Sequence, residues 1–384
     1  MSLLRRLILP ACCAAALVAP AGAQAALPPI KHVWVIVLEN KSLPQWFVPG
    51  LGTAPYLTQT LPSEGPFMPN YYGVGHSSLD NYVAMVSGQA PNPETQSDCQ
   101  FYDDFLPGVP TSNGQFIGQG CVYPPGVQNI ATQLEGNGYT WKGYMQDMAN
   151  SAPAQPASCR HPALNSQDKT QTATATDQYA ARHNPFVYFH SIIDFPTCQQ
   201  HDVDLSQLSG DLASESTTPS YSFITPDLCN DGHDSPCADG GPGGLVQADS
   251  FLQQLIPEIT ASPAYKDRGL IIVTFDEAHG GTSPADDGSA CCGEQSGPNT
   301  PFPGGLTLGP GGGKVGAVLL SPCINPGTVS TDAYNHYSML RSIEDNFGLP
   351  HLGFAGQAGL QPFDSKVLDN PTCGATATKL KSRK

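Results

Sequence analysis

At three places an apolar run of this chain stops abruptly on acidic, amide or imidazole groups: Glu39-Asn40, Asp231 with His233, and Asp276-Glu277. Carboxylate and amide oxygens are ligands for hard or borderline cations, and imidazoles add proton donors or anion contacts. A fourth stretch, 71–88 (YYGVGHSSLDNYVAMVSG), carries Ser77 and Ser78 where a helical pattern begins. A serine there is ordinarily an N-cap. The same place suits a nucleophile, because the helix dipole and free N–H groups favour an alkoxide and an incoming phosphate. His76, two residues before Ser78, offers a second phosphate contact or a proton source. Together these groups predict a convergent metal or phosphate site.

The elements that must position them are legible as well. Segment 33–38, inside KHVWVIVLENKS, is almost wholly apolar with no alternation, as in a strand buried on both faces of a parallel sheet. Segments 221–225 (YSFIT) and 269–275 (GLIIVTF) read the same way. Open α/β sheets bind ligands at the carboxyl ends of such strands. Helical spacing of Leu79, Tyr82, Val83 and Val86 predicts a helix after Ser77/Ser78, with Gly73 and Gly75 permitting a tight turn before it. A helix and strand are predicted over 130–145, and a short helix, loop and strand over 178–194. Further helices are predicted at 54–61, 204–212, 246–260 and 334–347, with a last strand at 315–320. Alternation of this kind gives an α/β fold: a central, mainly parallel sheet flanked by helices.

Residues 1–25 read as a secretory signal, with Arg5 and Arg6, an apolar run and a small-residue cleavage site. Residues 26–370 are expected to form one domain, and 371–384 a basic, disordered tail. Cys12 and Cys13 leave with the signal, so ten of the 12 cysteines remain. An even number in an exported chain points to disulfides rather than zinc, with pairing left open. The formal charge of −16 excludes a nucleic-acid-binding surface. No later segment has the length of a membrane span. The expected location is secreted or periplasmic, and 40 Gly and 37 Pro predict long, disulfide-stapled loops. An acidic protein that handles phosphate needs local positive charge, from a metal or from histidines.

The pieces HVWVIVLEN, GHSSLDNYVAMVSG, HNPFVYF, NDGHD, VTFDEAHGG and YNHYSMLRSIEDNFGL, in this order, resemble the phosphoesterase family. That family holds bacterial and fungal acid phosphatases, phosphatidylinositol-3-phosphatases among them, and phospholipase C enzymes, within the alkaline-phosphatase superfamily. The resemblance spans about residues 31–354. It implies an alkaline-phosphatase-like fold, with Glu39, Asn40, Asp276 and Glu277 holding one divalent cation. Ser78 matches the nucleophile, although the family often has Pro at Ser77, which leaves either serine open. His76, His183 and His233 match histidines that contact the phosphoryl group or protonate the leaving group. Asn81 would bind a phosphoryl oxygen, His336 sits at a matching helix start, and Asp231 is favoured over Asp227.

The chemistry agrees with the residue types. Oxygen ligands suit Mg, Mn, Ca or Zn, and phosphoryl transfer needs positioning and charge neutralisation above all. The expected reaction is hydrolysis of phosphomonoesters, phosphoinositides at a membrane surface included, through a phosphoserine, with an acid optimum set by histidines near their ordinary pKa. A phospholipase C-type phosphodiesterase and a non-catalytic metal- or phosphate-binding protein are the alternatives. The short chain after His336 favours the monoesterase, and Ser78, Glu39 and Asp276 together favour an enzyme. His279 reads as a supporting or loop residue, and His190 and His201 as structural or exposed. His32 lies at the wrong end of its strand, while Trp46, Tyr56 and Tyr144 stay open between cleft and core.

Overall fold

The computed structural model describes residues 30–47, 53–149, 156–280, 286–305, 309–364 and 366–370. The expected signal, the basic tail and Cys373 lie outside these. A seven-stranded sheet forms the centre. Its strands are β1 His32–Leu38, β2 Phe67–Met68, β3 Trp141–Met145, β4 Asp202–Asp204, β5 Tyr221–Thr225, β6 Gly269–Phe275 and β7 Ala317–Leu320. The order is β2-β7-β6-β1-β5-β3-β4. Strands β6, β1, β5, β3 and β4 run parallel, while β7 and β2 add an antiparallel edge. Every residue of β1, β5 and β6 is buried, so both faces of the sheet centre are covered. This is why those runs are apolar without alternation.

Four longer helices matter here: α1 Ser78–Ser87, α2 Ile130–Gly136, α3 Gly244–Ala261 and α4 His336–Phe347. Helix α1 is buried along its whole length and packs against α4. Gly88 and Gly348, both left-handed, end α1 and α4. Asn335 caps α4, its side chain accepting from the Ser338 N–H.

The structure departs from expectation at several segments. No strand forms within 178–194; Asn184 accepts from the Phe186 N–H and Pro185 follows, so the chain closes into short 3-10 turns and one turn of helix, His190–Ile193. Segment 204–212 is not one helix, because Asp204 ends β4 and its carboxylate accepts from the Ser206 N–H. Segment 54–61 coils with π-type spacing over Tyr56–Thr60, and Tyr334–Asn335 is strand before α4 begins. A hairpin, Leu106–Pro110 with Phe116–Gln119, went unanticipated. Four disulfides join Cys99 to Cys121, Cys159 to Cys198, Cys229 to Cys237 and Cys291 to Cys292. Cys323 is disulfide-bonded too. Trp46 and Tyr144 belong to the core, the former donating its indole N–H to the Val315 carbonyl.

Candidate active site

Strand β1 is central, so its carboxyl end meets the ends of both neighbours. The Asp276 N–H donates to the Leu38 carbonyl at 2.9 Å, and the Glu39 N–H to the Asp231 carbonyl at 2.8 Å. The chain then turns at Asn40, whose φ of 53° lies in the left-handed region that asparagine tolerates. That turn aims the Asn40 N–H at Asp276 Oδ1, 2.9 Å away. The three acidic strand ends therefore meet, although they are far apart in the chain.

The Asn40 carboxamide oxygen faces acceptors alone. It lies 3.1–3.3 Å from both Asp276 oxygens, Glu277 Oε1 and Glu39 Oε2. Such a ring of oxygens is held together either by the carboxamide turned about, so that its NH2 donates, or by a cation among them. Glu39, Asp276 and Glu277 are nearly inaccessible to solvent. Burial raises Glu39 well above the carboxylate range, with the charges of Asp276 and Asp231 adding to it. Asp276 is pushed up to about 7, by burial first and then by the Glu277 charge. A divalent cation relieves both causes. The donor set fits a hard cation.

The serine turn leans on this cluster. Ser78 Oγ donates to Glu39 Oε2 at 2.7 Å, whereas Ser77 Oγ donates away, to the Gln96 carbonyl at 2.8 Å. Ser77 holds a φ of 88°, an uncommon conformation for a non-glycine residue. Asn81 fixes it. Its Oδ1 accepts from the Val74 and Gly75 N–H groups, and its Nδ2 donates to the carbonyls of Gly75 and Ser77 and to Asp80. Asn81 is fully buried and its hydrogen-bonding groups are taken, so its place is beneath the turn rather than on a phosphoryl oxygen. At Gly73 it is closeness that demands glycine: a Cβ there would lie 2.7 Å from the Asp276 carbonyl.

The histidines separate into distinct roles. His76 bonds Glu277 through Nδ1 and the Asp287 carbonyl through Nε2. Burial opposes its charge, but the Glu277 hydrogen bond and charge outweigh that and raise its pKa. His183 stacks on Tyr82, with ring centroids 5.3 Å apart. Its Nε2 lies 3.4 Å from Glu39 Oε2 and its Nδ1 4.0 Å from Asp231 Oδ2. Burial holds it neutral, well below the ordinary imidazole value. His76 and His183 therefore do not share the near-ordinary pKa expected from sequence. His233 is half-exposed at the cleft, its N–H bonded to Asp231 Oδ1. His336 is wholly buried, accepting from the Tyr71 hydroxyl and donating to the Asp276 carbonyl, and burial lowers its pKa to about 4. It supports the end of β6 and has no surface for substrate. His279 is exposed beside Asp286, and His32 bonds the Pro219 carbonyl at the far end of β1.

A cleft of about 260 Å³ opens onto Ser78, Glu39, Asn40, Glu277, His183 and His233. Two residues missed in the sequence support or line it. Tyr82 donates to Glu39 Oε1 at 2.5 Å, so both Glu39 oxygens are occupied from α1. Arg182 lines the cleft. Tyr82 was readable only as a core position of the helix, and Arg182 only as a loop cation before His183.

A mainly parallel α/β sheet with acidic groups and a helix-start serine gathered at one strand edge defines a class of hydrolase-like fold. The chain belongs to the Phosphoesterase family, which it matches over residues 52–350. It is 25% identical to the phosphate-repressible acid phosphatase of Penicillium chrysogenum, across 76% of this chain and 54% of that protein. It is also 25% identical to the phosphatidylinositol-3-phosphatase of Mycobacterium tuberculosis, across 88% of this chain and 83% of that one. The chain spans about half the length of the fungal relatives it matches. Among solved structures, an alkaline phosphatase superfamily protein from Vibrio parahaemolyticus overlays with a TM-score of 0.46 and 13% identity, over 85% of this chain and 68% of the other. Among the described residues no helix is long and apolar enough to cross a membrane.

Proposed function

We propose that this chain is an exported acid phosphatase that hydrolyses phosphomonoesters, phosphoinositides at a membrane surface included, through a phosphoserine on Ser78. The observation that carries this reading is the Ser78–Glu39 hydrogen bond beside the buried carboxylates of Glu39, Asp276 and Glu277. Glu39, Asn40, Asp276 and Glu277 would hold one divalent cation, which when bound neutralises phosphoryl charge and eases ionisation of the serine.

The chain's own groups do the rest. Glu39 Oε2 orients the Ser78 hydroxyl and takes its proton as the Ser78 oxygen bonds phosphorus and the ester oxygen departs. His233, reachable from solvent, supplies the proton to the leaving oxygen. Water then attacks the phosphoserine, gives its proton to His233 and releases phosphate, and the serine oxygen recovers its proton from Glu39. The Ser77 hydroxyl donates to the Gln96 carbonyl, which favours Ser78 over Ser77 as the attacking group. The relatives' names, acid phosphatase and phosphatidylinositol-3-phosphatase, support the monoester class.

The test is release of phosphate from p-nitrophenyl phosphate set against release of choline phosphate from phosphatidylcholine. Turnover of the first alone is expected. Turnover of the second alone would make the chain a phospholipase C, and turnover of neither would leave a binding protein.

A further inference from the structure

Among the described residues lining the cleft, Arg182 is the sole lysine or arginine, and the carboxylates there are Glu39, Asp98 and Glu277. In a chain of net charge −16, an anionic substrate meets net repulsion that a fixed cationic side chain in the cleft offsets. The guanidinium is held rather than free. Its Nη1 donates to the carbonyls of Thr170, at 3.4 Å, and Gln171, at 3.2 Å. Its Nε stands 4.0 Å from Asp98 Oδ2, beyond hydrogen-bond reach, and the side chain is only 13% exposed. Among the described residues Nη2 makes no hydrogen bond. One edge is thus anchored, while the Nε–Nη2 edge, the fork that matches two oxygens of a phosphoryl group, makes no hydrogen bond and has only the longer ion pair to Asp98.

Asp98 ties this edge to the nucleophile. Its Oδ1 accepts from the Leu79 N–H at 3.0 Å, in the first turn of α1 directly after Ser78. Gln171 bonds the Asp98 carbonyl at 2.8 Å, so the wall that carries Arg182 is fastened to the same turn. The Arg182 segment is therefore tied through Gln171 and Asp98 to the turn that carries Ser78, and both border the same cleft.

The geometry points to Arg182 as a substrate-binding residue that takes the terminal phosphoryl oxygens remote from the acidic cluster, and so selects dianionic monoesters over monoanionic diesters. A monoester presents three non-bridging oxygens and a second negative charge. A diester would place its second ester group against Arg182 and Asp98, where it has no acceptor for the fork. This rests on the phosphoryl-transfer reading above.

The experiment compares wild type, R182Q and R182K using p-nitrophenyl phosphate, bis-p-nitrophenyl phosphate and inorganic phosphate as a competitive inhibitor. Loss of a charge-assisted contact predicts that R182Q lowers kcat/KM for the monoester, and raises the inhibition constant of phosphate, by roughly 10- to 100-fold. The diester rate should stay within about twofold, and R182K should recover part of the loss, having charge without the fork. An unchanged phosphate constant, or equal loss on both esters, overturns the inference. Should R182Q fail to show a cooperative melt, R182K decides: an unchanged monoester-to-diester ratio overturns the inference and a lowered one supports it. If the wild type turns over neither ester, the phosphatase reading fails by itself. A phosphate-induced rise in Tm present in wild type and absent in R182K would still establish the anion site, and no rise in wild type would remove it.

Discussion

Ser78 Oγ and Glu39 Oε2 are 2.7 Å apart, although one opens a helix and the other directly follows a strand. Two rigid elements therefore fix the hydroxyl, and a site on such elements is positioned better than one on loops. Ser78→Ala should abolish turnover, by about three orders of magnitude or more, with the melting transition retained. Rapid mixing with p-nitrophenyl phosphate should show no burst. Ser77→Ala should fall much less far, since that hydroxyl serves the Gln96 carbonyl. A fully active Ser78→Ala enzyme would move the nucleophile elsewhere.

Tyr82 is a positioning residue for Glu39. It donates to the carboxylate oxygen that Ser78 does not use, and its ring supports His183. Tyr82→Phe keeps the ring and removes one hydrogen bond to a carboxylate, a loss of about 1.5–3 kcal/mol. The expected result is a fall in kcat of roughly 10- to 100-fold with the His183 stack preserved. Wild-type kcat in Tyr82→Phe would show that Ser78 alone suffices to hold Glu39.

What could be read beforehand follows from how information is carried along the chain. Strands β1, β5 and β6 announce themselves because burial on both faces leaves only apolar residues, and their acidic ends stand out by contrast. Helix α1 was legible from its period. Segment 178–194 was not, because its turns are set by Asn184 and Pro185 and by tertiary burial rather than by a repeating pattern. Asn81 and His336 had the right chemistry for substrate contact, and only the packing shows them below the surface. Arg182 depends on carbonyls supplied from 170–171, a partnership that no local spacing encodes.

The acceptor cluster predicts linkage between cation binding and stability. The buried carboxylates of Glu39, Asp276 and Glu277 each place an oxygen 3.1–3.3 Å from the Asn40 carboxamide, and a ligand that binds only the folded state stabilises it by about 2.7 kcal/mol at a hundred times its Kd. Chelator treatment should abolish turnover and lower Tm, and returning Mg, Mn, Ca or Zn should restore both in a concentration-dependent way. Asp276→Asn should blunt the Tm response. A chelated protein whose Tm ignores all four cations would refute the assigned ligand set.

Asp202, far along the sheet edge in β4, gives a pH dependence independent of the site. Burial raises it to about 8, while Asn184 Nδ2 donates to its Oδ2 at 2.8 Å and opposes the shift. In the unfolded chain the group titrates near its ordinary value of about 3.9. Between these values the folded state keeps a proton that the unfolded state has released. Stability from this group is therefore greatest below about pH 4 and declines as pH rises toward 8, by on the order of a few kcal/mol. Asp202→Asn copies the protonated shape and keeps an oxygen for Asn184. Its Tm should fall less than the wild type's between pH 5 and pH 8, and should exceed it at pH 8. Parallel Tm curves for the two proteins would mean that Asp202 does not carry this proton.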